Sequence, residues 1–297
     1  MLNKFKDVAI TLLTQYPWPH HALSRVVHAL TRIKLRPIKN WLIRRGIKAF
    51  NIDMSIAQHS NLERYESFNH FFTRELKPEA RPIVQGKHEL ASPADGLVSQ
   101  LGKITQGEIF QAKGHSFDVT TLLGGSSERA APFINGCFNN IYLSPKDYHR
   151  VHMPCTGTLK EMVHVPGRLF SVSPRTTRVV PGLCARNERV VALFDTEYGT
   201  MAMVLVGAIF VGSIDTVWSG NVAPRPGNLV QLWDYTLAHK DNPPITLQRG
   251  EEMGRFNMGS TIILLFGDQA ATWDKTIQPE SFVQMGQLLG SGQPVSF

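Results

Sequence analysis

Cysteine is scarce in this sequence, with three residues, Cys137, Cys155 and Cys184, among 297. Their number is odd, they lie far apart, and no two form a Cys-x-x-Cys pair. This pattern argues against a disulfide scaffold and against a thiolate zinc site. We therefore expect the protein to occupy a reducing compartment.

A long hydrophobic run is also missing. The longest nearly continuous apolar stretch, Met201 to Ile214, contains two glycines and is shorter than the ~20 residues that a membrane-spanning helix needs. Near the N-terminus Lys4 and Lys6 precede apolar residues, but Asp7 interrupts them and no small-residue cleavage site follows. We expect neither a spanning segment nor a cleaved signal peptide.

Acidic residues are almost absent from the first fifty positions. Residues 1–50 hold ten Lys and Arg against one acid, Asp7, whereas the remainder of the chain carries 21 basic and 23 acidic residues. Such asymmetry predicts an anionic partner for the first fifty residues alone. Because no nucleic-acid-binding motif accompanies the charge, an anionic membrane surface is the expected partner and nucleic acid is not.

Apolar residues recur at helical spacing in the same fifty positions. They form three stripes: Leu2, Phe5, Ala9, Leu12 and Leu13; Leu23, Val26, Val27, Leu30 and Ile33; and Ile38, Trp41, Leu42 and Ile47. Basic residues stand between them, and Trp18 and Trp41 are side chains suited to a lipid headgroup layer. The alternative is that these helices pack on each other or on the domain as an ordinary cap.

Beyond about residue 90 the sequence is typical of short strands between turns. The clearest candidates are Leu97 to Ile104, Glu161 to Val165, Val190 to Phe194, Met203 to Val211 and Thr261 to Phe266. We predict an α+β fold in which N-terminal amphipathic helices precede a mainly antiparallel β core. The expected division is a helical membrane-binding segment at 1–50, a connector at 51–89 with Phe68, Phe71 and Phe72 as core anchors, and a β-rich catalytic domain at 90–297.

Three residues of the β-rich part have the side chains of a nucleophile, a base and an orienting group. Asp95 lies in a Ser-Pro-Ala-Asp-Gly turn, His152 in Tyr-His-Arg-Val-His, and Ser260 in Gly-Ser-Thr. Asp, His, Ser is a chain order that catalytic triads use. Each segment also has a structural explanation as a turn, a histidine pair or a strand start. Ser260 lacks the Gly-x-Ser-x-Gly elbow, which disfavours an α/β-hydrolase.

Taken together, these segments resemble the pyruvoyl-dependent phosphatidylserine decarboxylases, in particular the bacterial membrane-associated type. The resemblance runs from about Ser67 to Phe266. It is carried by Ser67-Phe68-Asn69 with Phe71-Phe72 and Arg74, Lys77-Pro78-Glu79-Ala80-Arg81-Pro82-Ile83, Ser92-Pro93-Ala94-Asp95-Gly96, Tyr148-His149-Arg150-Val151-His152, Phe170-Ser171-Val172, Asn187-Glu188-Arg189, Val206-Gly207-Ala208, and Gly254-Arg255-Phe256 leading into Gly259-Ser260-Thr261. Met258 stands where the family usually has Leu.

The resemblance implies a proenzyme that cuts itself between Gly259 and Ser260 into a large and a small subunit. Ser260 Oγ would attack the Gly259 carbonyl, His152 would take the hydroxyl proton, and Asp95 would hold the imidazole. The resulting ester would break by β-elimination. Ser260 would then become a covalent pyruvoyl group, the implied cofactor.

The implied activity is the decarboxylation of phosphatidylserine to phosphatidylethanolamine and carbon dioxide through a Schiff base, a step in phospholipid biosynthesis. His149 is the candidate to orient the substrate carboxylate or to protonate the product carbon. The implied location is the cytoplasmic face of the cell membrane as a peripheral protein. A homodimer is a further expectation from the resemblance.

Two other functions fit parts of the sequence. His149 and His152 have the His-x-x-His spacing of metal ligands, which would suit a metal-dependent hydrolase, but no third ligand stands in an obvious motif, so we expect no metal. The basic N-terminus by itself would suit a non-catalytic lipid-binding module.

Overall fold

The computed structural model describes residues 10–11, 13–112, 114–210, 213–225, 227–237 and 243–295. Residues 10–11 and 13–15 are helical. They are followed by two longer helices, α1 (His20–Thr31) and α2 (Arg36–Phe50), and by the short helices α3 (Phe68–Phe72), α4 (Val119–Leu122), α5 (Ser127–Ala130), α6 (Pro174–Thr177) and α7 (Leu183–Arg186). Of the first predicted stripe, Leu2, Phe5, Ala9 and Leu12 lie outside the described residues.

The remainder of the chain is built from eighteen described strands. They are β1 (Glu89–Ala91), β2 (Gly96–Lys103), β3 (Glu108–Ala112), β4 (His115–Asp118), β5 (Cys137–Leu143), β6 (Arg150–His152), β7 (Gly157–Val165), β8 (Arg189–Thr196), β9 (Gly199–Gly207), β10 (Ser213–Thr216), β11 (Gly220–Ala223), β12 (Gln231–Asp234), β13 (Thr246–Leu247), β14 (Glu252–Asn257), β15 (Ser260–Phe266), β16 (Ala271–Trp273), β17 (Phe282–Val283) and β18 (Leu288–Gly292). The ladders between these strands are antiparallel, and the predicted α+β class is confirmed.

The largest sheet has nine strands in the order β12-β7-β8-β9-β15-β5-β2-β17, with β13 also paired to β7. A four-stranded sheet has the order β11-β10-β14-β6. Its strand β14 ends at Asn257, just before the turn that leads into β15. Strand β15 is central, between β9 and β5, and all seven of its residues are buried. The predicted strand Thr261 to Phe266 is therefore confirmed.

The strand predicted over Met203 to Val211 has different limits, since β9 spans Gly199–Gly207. Phe210 has a φ of 69°, which a strand does not accommodate. Val211 lies outside the described residues.

A second, smaller core joins α2 to the connector. It contains Ile43 and Ile52 with the predicted anchors Phe68, Phe71 and Phe72, and Leu42 and Ile47 pack against it. Ser67 caps α3 by accepting a hydrogen bond from the His70 amide. Two of the four residues of the third predicted stripe thus face the protein interior rather than a membrane.

Helix α1 leaves part of its apolar stripe exposed, while Leu23 and Val27 are half-buried. Its buried side chains are the polar ones, His20, Ser24 and Thr31, whereas Val26 and Leu30 are 55% and 51% exposed. An ordinary surface helix buries its apolar face and exposes its polar face. The arrangement in α1 is the reverse. No helix among the described residues is long and apolar enough to cross a bilayer.

Candidate active site

Ser260 is the first residue of β15 and is completely buried. It pairs with Gly207 of β9 on one side and with Leu143 of β5 on the other. Its Oγ has no hydrogen-bond partner among the described residues. Because a buried hydroxyl normally finds a partner, the unpaired Ser260 hydroxyl makes this residue a candidate for a reactive position.

The two residues before Ser260 have a strained backbone. Met258 has a φ of 94° and Gly259 a φ of 35°. A Cβ built on Gly259 would meet no atom within 4 Å other than its chain neighbours, so the glycine is required for its backbone angle rather than for space. A non-glycine residue in this region stores on the order of 1–3 kcal/mol. The peptide bond predicted to break therefore lies in a distorted turn.

Asp95 is buried and its carboxylate is fully engaged. Oδ1 accepts hydrogen bonds of 2.8 Å from Arg81 Nε and from the Met285 amide, and Oδ2 lies 2.5 Å from Arg81 Nη2. The structure contains no hydrogen bond between Asp95 and His152. Sequence reasoning missed this use of Arg81, although Arg81 stands in one of the segments that carried the resemblance.

His152 is held by two other groups. Its Nδ1 lies 2.8 Å from the Gly250 carbonyl, and its Nε2 lies 3.0 Å from the Tyr148 hydroxyl. A carbonyl only accepts, so Nδ1 carries the proton, and the lone pair of Nε2 accepts a hydrogen bond from the Tyr148 hydroxyl. Burial lowers the pKa of His152, an effect opposed by the hydrogen bond to Gly250 and by the charges of Glu252 and Asp95. The neutral ring that results is the form a general base needs.

His149 belongs to the same motif and is fully buried. Its ring stacks on Phe72 at 4.1 Å, and Nε2 donates to the carbonyl of Ser144 over 3.1 Å, which leaves Nδ1 without a partner. Burial, with a contribution from Arg74, lowers the pKa of His149 to about 3. Ser144 directly follows Leu143, the partner of Ser260. The hydrogen bond therefore ties His149 to the strand beside the reactive serine.

His149 and His152 share no hydrogen-bond partner within the described part of the chain. His149 bonds to Ser144, whereas His152 bonds to Gly250 and Tyr148. Among the residues that the structure describes, no group of three His, Cys, Asp or Glu side chains is arranged to hold a metal ion.

A chain of hydrogen bonds anchors the strand that leads to the turn. Asn69 donates to Asn257 over 2.7 Å, Asn257 donates to Ser213 over 2.6 Å, and Arg32, just after α1, donates to Ser213 over 3.2 Å. Asn69 belongs to a motif that carried the resemblance. The roles of Arg32, Ser213 and Asn257 had no signal in the sequence, because they depend on contacts between distant segments.

Comparisons with known proteins identify the family of this chain. The family model described as phosphatidylserine decarboxylase matches residues 68–291, and one described as PSD matches residues 10–51. The phosphatidylserine decarboxylase proenzyme of Ectopseudomonas mendocina is 54% identical over 282 residues, covering 95% of this chain and 98% of that protein. The proenzyme of Bordetella petrii is 52% identical, covering 96% and 98%, and that of Alkalilimnicola ehrlichii is 56% identical, covering 86% and 88%. This chain belongs to the phosphatidylserine decarboxylase family.

Proposed function

We propose that this chain is a phosphatidylserine decarboxylase proenzyme, which matures by self-cleavage and then converts phosphatidylserine to phosphatidylethanolamine and carbon dioxide. The observation that carries the proposal is the buried, unpaired Ser260 hydroxyl directly after two residues of positive φ. Relatives with more than half of their residues identical carry the name of the proenzyme.

Maturation begins at the distorted turn. Ser260 Oγ attacks the Gly259 carbonyl carbon, the peptide C–N bond breaks, and an ester joins the two residues while the serine nitrogen becomes a free amine. Removal of the Ser260 Cα proton then expels the Gly259 carboxylate and leaves dehydroalanine. Its imine tautomer reacts with water and releases ammonia. The products are residues 1–259 with a new C-terminal carboxylate and residues 260–297 with an N-terminal pyruvoyl group.

His152 is the proposed base for the first step. Its neutral ring has Nε2 as the accepting atom, with Nδ1 fixed by the Gly250 carbonyl. The Gly250 carbonyl thus orients the imidazole ring of His152. In a Ser-His-Asp triad, the aspartate performs that task. Asp95 acts through its charge, which favours the imidazolium that forms when His152 takes the proton.

The residues around Ser260 suit the pyruvoyl group that the family implies. The serine is buried on a central strand, so the group that replaces it is shielded from bulk water. A pyruvoyl group supplies the electron sink that decarboxylation of an amino acid requires. His149 is proposed to act on the substrate at this point. Because its pKa is about 3, it enters as a neutral ring whose Nδ1 accepts a hydrogen bond or a proton.

We propose a peripheral position on the cytoplasmic side of the cell membrane, and the exposed apolar residues of α1 support contact with a membrane surface. Val26 and Leu30 are more than half exposed, and Trp18 and Trp41 are 55% and 60% exposed. Phospholipids, including the anionic substrate, would cover this surface and meet the basic residues beside it. Assembly into a homodimer stays a prediction.

The activity is tested with purified protein and phosphatidylserine labelled at the serine carboxyl carbon. We expect the wild-type chain to release labelled carbon dioxide and to form phosphatidylethanolamine in equal amount. Ser260→Ala should release none, because the source of the pyruvoyl carbons is gone. Labelled carbon dioxide from Ser260→Ala above the level of a protein-free control would overturn the proposal.

A further inference from the structure

A cleft of about 520 Å³ lies between α1 and the segment that follows β11. Its basic lining residues are His21, Arg25 and His28 from α1 and Arg225 from the other wall, with Asn221 and Asn228 beside them. No acidic side chain of the described residues lines it. The cleft therefore has the charge and the hydrogen-bond donors that suit a phosphate group.

The side chains of Arg25 and Arg225 differ in how firmly the protein holds them. Arg225 is fixed, because its Nε donates to the Val222 carbonyl over 2.9 Å and its guanidinium lies 4.8 Å from the centre of the Trp233 ring. Arg25 is exposed, and no hydrogen bond or ion pair joins its side chain to another described residue. One rigid and one mobile guanidinium across a cleft can close on an anion between them.

A second, narrow cavity adjoins this cleft and reaches β9, the strand that pairs with β15. It shares Leu169 and Pro224 with the cleft and is also lined by Glu188, Gly207 and Ile214. Gly207 is the strand partner of Ser260. A Cβ built on Gly207 would lie 3.3 Å from Leu169 Cδ2 and 3.9 Å from Ile214 Cδ1.

The direction of the Cβ position of Gly207 also gives the direction of the Ser260 side chain. Opposed residues of an antiparallel pair project from the same face of the sheet. Since the vacant Cβ position of Gly207 faces the narrow cavity, the side chain of Ser260 lies on the cavity face as well. Ser260 therefore lies on the sheet face that borders the narrow cavity, next to the cleft.

The charges of the cleft and the narrow cavity match those of a serine phosphodiester. The outer cleft is basic, whereas the inner cavity carries the buried carboxylate of Glu188, which lies 2.8 Å from His164 Nε2. In phosphatidylserine the amine is separated from phosphorus by four bonds, so a phosphate in the cleft would place a protonated amine toward the inner, acidic part. This polarity sends the amine, and not the phosphate, to residue 260.

Exposed apolar residues follow lining residues in the sequence on both sides of the cleft. Val26 follows Arg25 on α1, and Leu229 follows Asn228 on the other wall, where it is 81% exposed with Val230 45% exposed beside it. A free phosphate needs no apolar neighbours, whereas the acyl chains of a bound phospholipid would lie against them.

We infer that this cleft is the headgroup-binding subsite for the lipid substrate, in which Arg25 and Arg225 bind the phosphodiester while the amine is directed through the inner cavity to residue 260. The inference rests on the proposed function. The inner cavity, at about 10 Å³, has room for about one small polar group in the uncut chain.

The first test is binding of glycerophosphoserine, a water-soluble headgroup, to the uncut Ser260→Ala protein by titration calorimetry. We expect Arg25→Gln and Arg225→Gln, each added to Ser260→Ala, to weaken binding about 10- to 100-fold. Lys275→Gln, which removes an exposed charge elsewhere, should leave binding unchanged. Inorganic phosphate bound as tightly as glycerophosphoserine would overturn the headgroup assignment in favour of a plain anion site.

The second test uses the mature enzyme and a short-chain phosphatidylserine below its micelle concentration, so that membrane binding plays no part. Arg25→Gln should cut itself normally, because Arg25 is exposed and distant in sequence from the turn, and should raise KM about 10-fold or more with kcat little changed. An unchanged KM in both arginine variants, with an active wild-type enzyme, would overturn the inference about the cleft but not the proposed function. An inactive wild-type protein would instead refute the proposed function, and calorimetry on the uncut chain would still decide the cleft.

Discussion

His149 and His152 lie three positions apart but have different environments, so we expect them to have different chemical roles. His152 has both ring nitrogens engaged, by Gly250 and Tyr148, whereas His149 keeps Nδ1 free against Phe72. The sequence placed both residues near the reaction through the family resemblance. It did not provide their partners, because Gly250 and Phe72 are about 100 and 80 positions away from them in the chain.

The buried ring of His149 makes the stability of the fold depend on pH. Its folded pKa of about 3 lies below the ordinary value of 6.5. Between these values the unfolded chain binds a proton that the folded chain does not, so stability is fully present above pH 6.5 and falls as the pH drops toward 3. At pH 5 this one group accounts for a loss of about 2 kcal/mol.

Urea unfolding at pH 7.5 and pH 5 measures that loss. The uncut Ser260→Ala chain is the suitable background, since a single chain permits two-state treatment. We expect its unfolding free energy to fall by about 2 kcal/mol more between the two pH values than that of Ser260→Ala/His149→Gln. Equal falls in the two proteins would show that His149 is not held neutral by burial.

Variants of Arg81 and Asp95 distinguish an effect on the stability of the fold from an effect on self-cleavage. Arg81→Met leaves a buried carboxylate without its cation, which costs about 3–5 kcal/mol, yet the charge proposed to assist His152 stays in place. Asp95→Asn removes that charge. We expect Asp95→Asn to slow the self-cleavage by about two powers of ten or more, and folded Arg81→Met to cut while melting at a lower temperature.

A time course on denaturing gels and a thermal unfolding curve for each variant check this pair of outcomes. Cleavage of Asp95→Asn at the wild-type rate would remove Asp95 from the maturation machinery. If Arg81→Met does not fold, the double variant Arg81→Met/Asp95→Asn, which leaves no unpaired charge, should regain stability and still remain uncut.

At the level of elements, the N-terminal helices divide their apolar residues between the protein and the outside. Leu42 and Ile47 of α2 pack against the small core, whereas Val26 and Leu30 of α1 stay exposed. Periodicity predicted the helices but not this division, because a stripe of the same spacing serves a core or a membrane equally well. Lys39, one of the ten basic residues in the first fifty positions, is buried and donates to Asn40 and to the Leu62 carbonyl, so it does not face a membrane.

The exposed cations of α2 supply the test of membrane contact. Arg44, Arg45 and Lys48 are exposed, and each contributes up to about 1 kcal/mol of attraction to an anionic surface. Replacing all three with Glu should release the protein from anionic vesicles in a salt-sensitive manner, as measured by co-sedimentation. Val26→Gln/Leu30→Gln on α1 should weaken binding at every salt concentration. Self-cleavage should continue in both variants, since that chemistry belongs to the β core.

Lys275→Glu and Phe110→Gln serve as controls, because they make the same kinds of change at exposed positions outside α1 and α2. Vesicle binding that is equal for the wild type and both helix variants, at low and at high salt, would assign the N-terminal helices a purely structural role.

At the level of the whole molecule, the four strands after the turn are distributed over two sheets. Strand β15 lies in the centre of the nine-stranded sheet and β17 at its edge, while β16 and β18 complete the three-stranded sheet with β1. A cut before Ser260 therefore leaves residues 260–297 held by ladders to strands of the larger fragment. The sequence predicted the antiparallel class and the central strand, but not this interlocking, because strand order depends on pairings between distant segments.

The central claim is that Ser260 is both the nucleophile of the cut and the residue converted into the reactive group. The intact mass of the purified protein under denaturing conditions tests it most directly. We predict two chains, residues 1–259 with the mass of an unmodified carboxylate end and residues 260–297 lighter than the serine form by one ammonia molecule, whereas Ser260→Ala gives a single uncut chain. A wild-type protein with the mass of the whole chain, or a small fragment that still begins with an unmodified serine, would contradict the account.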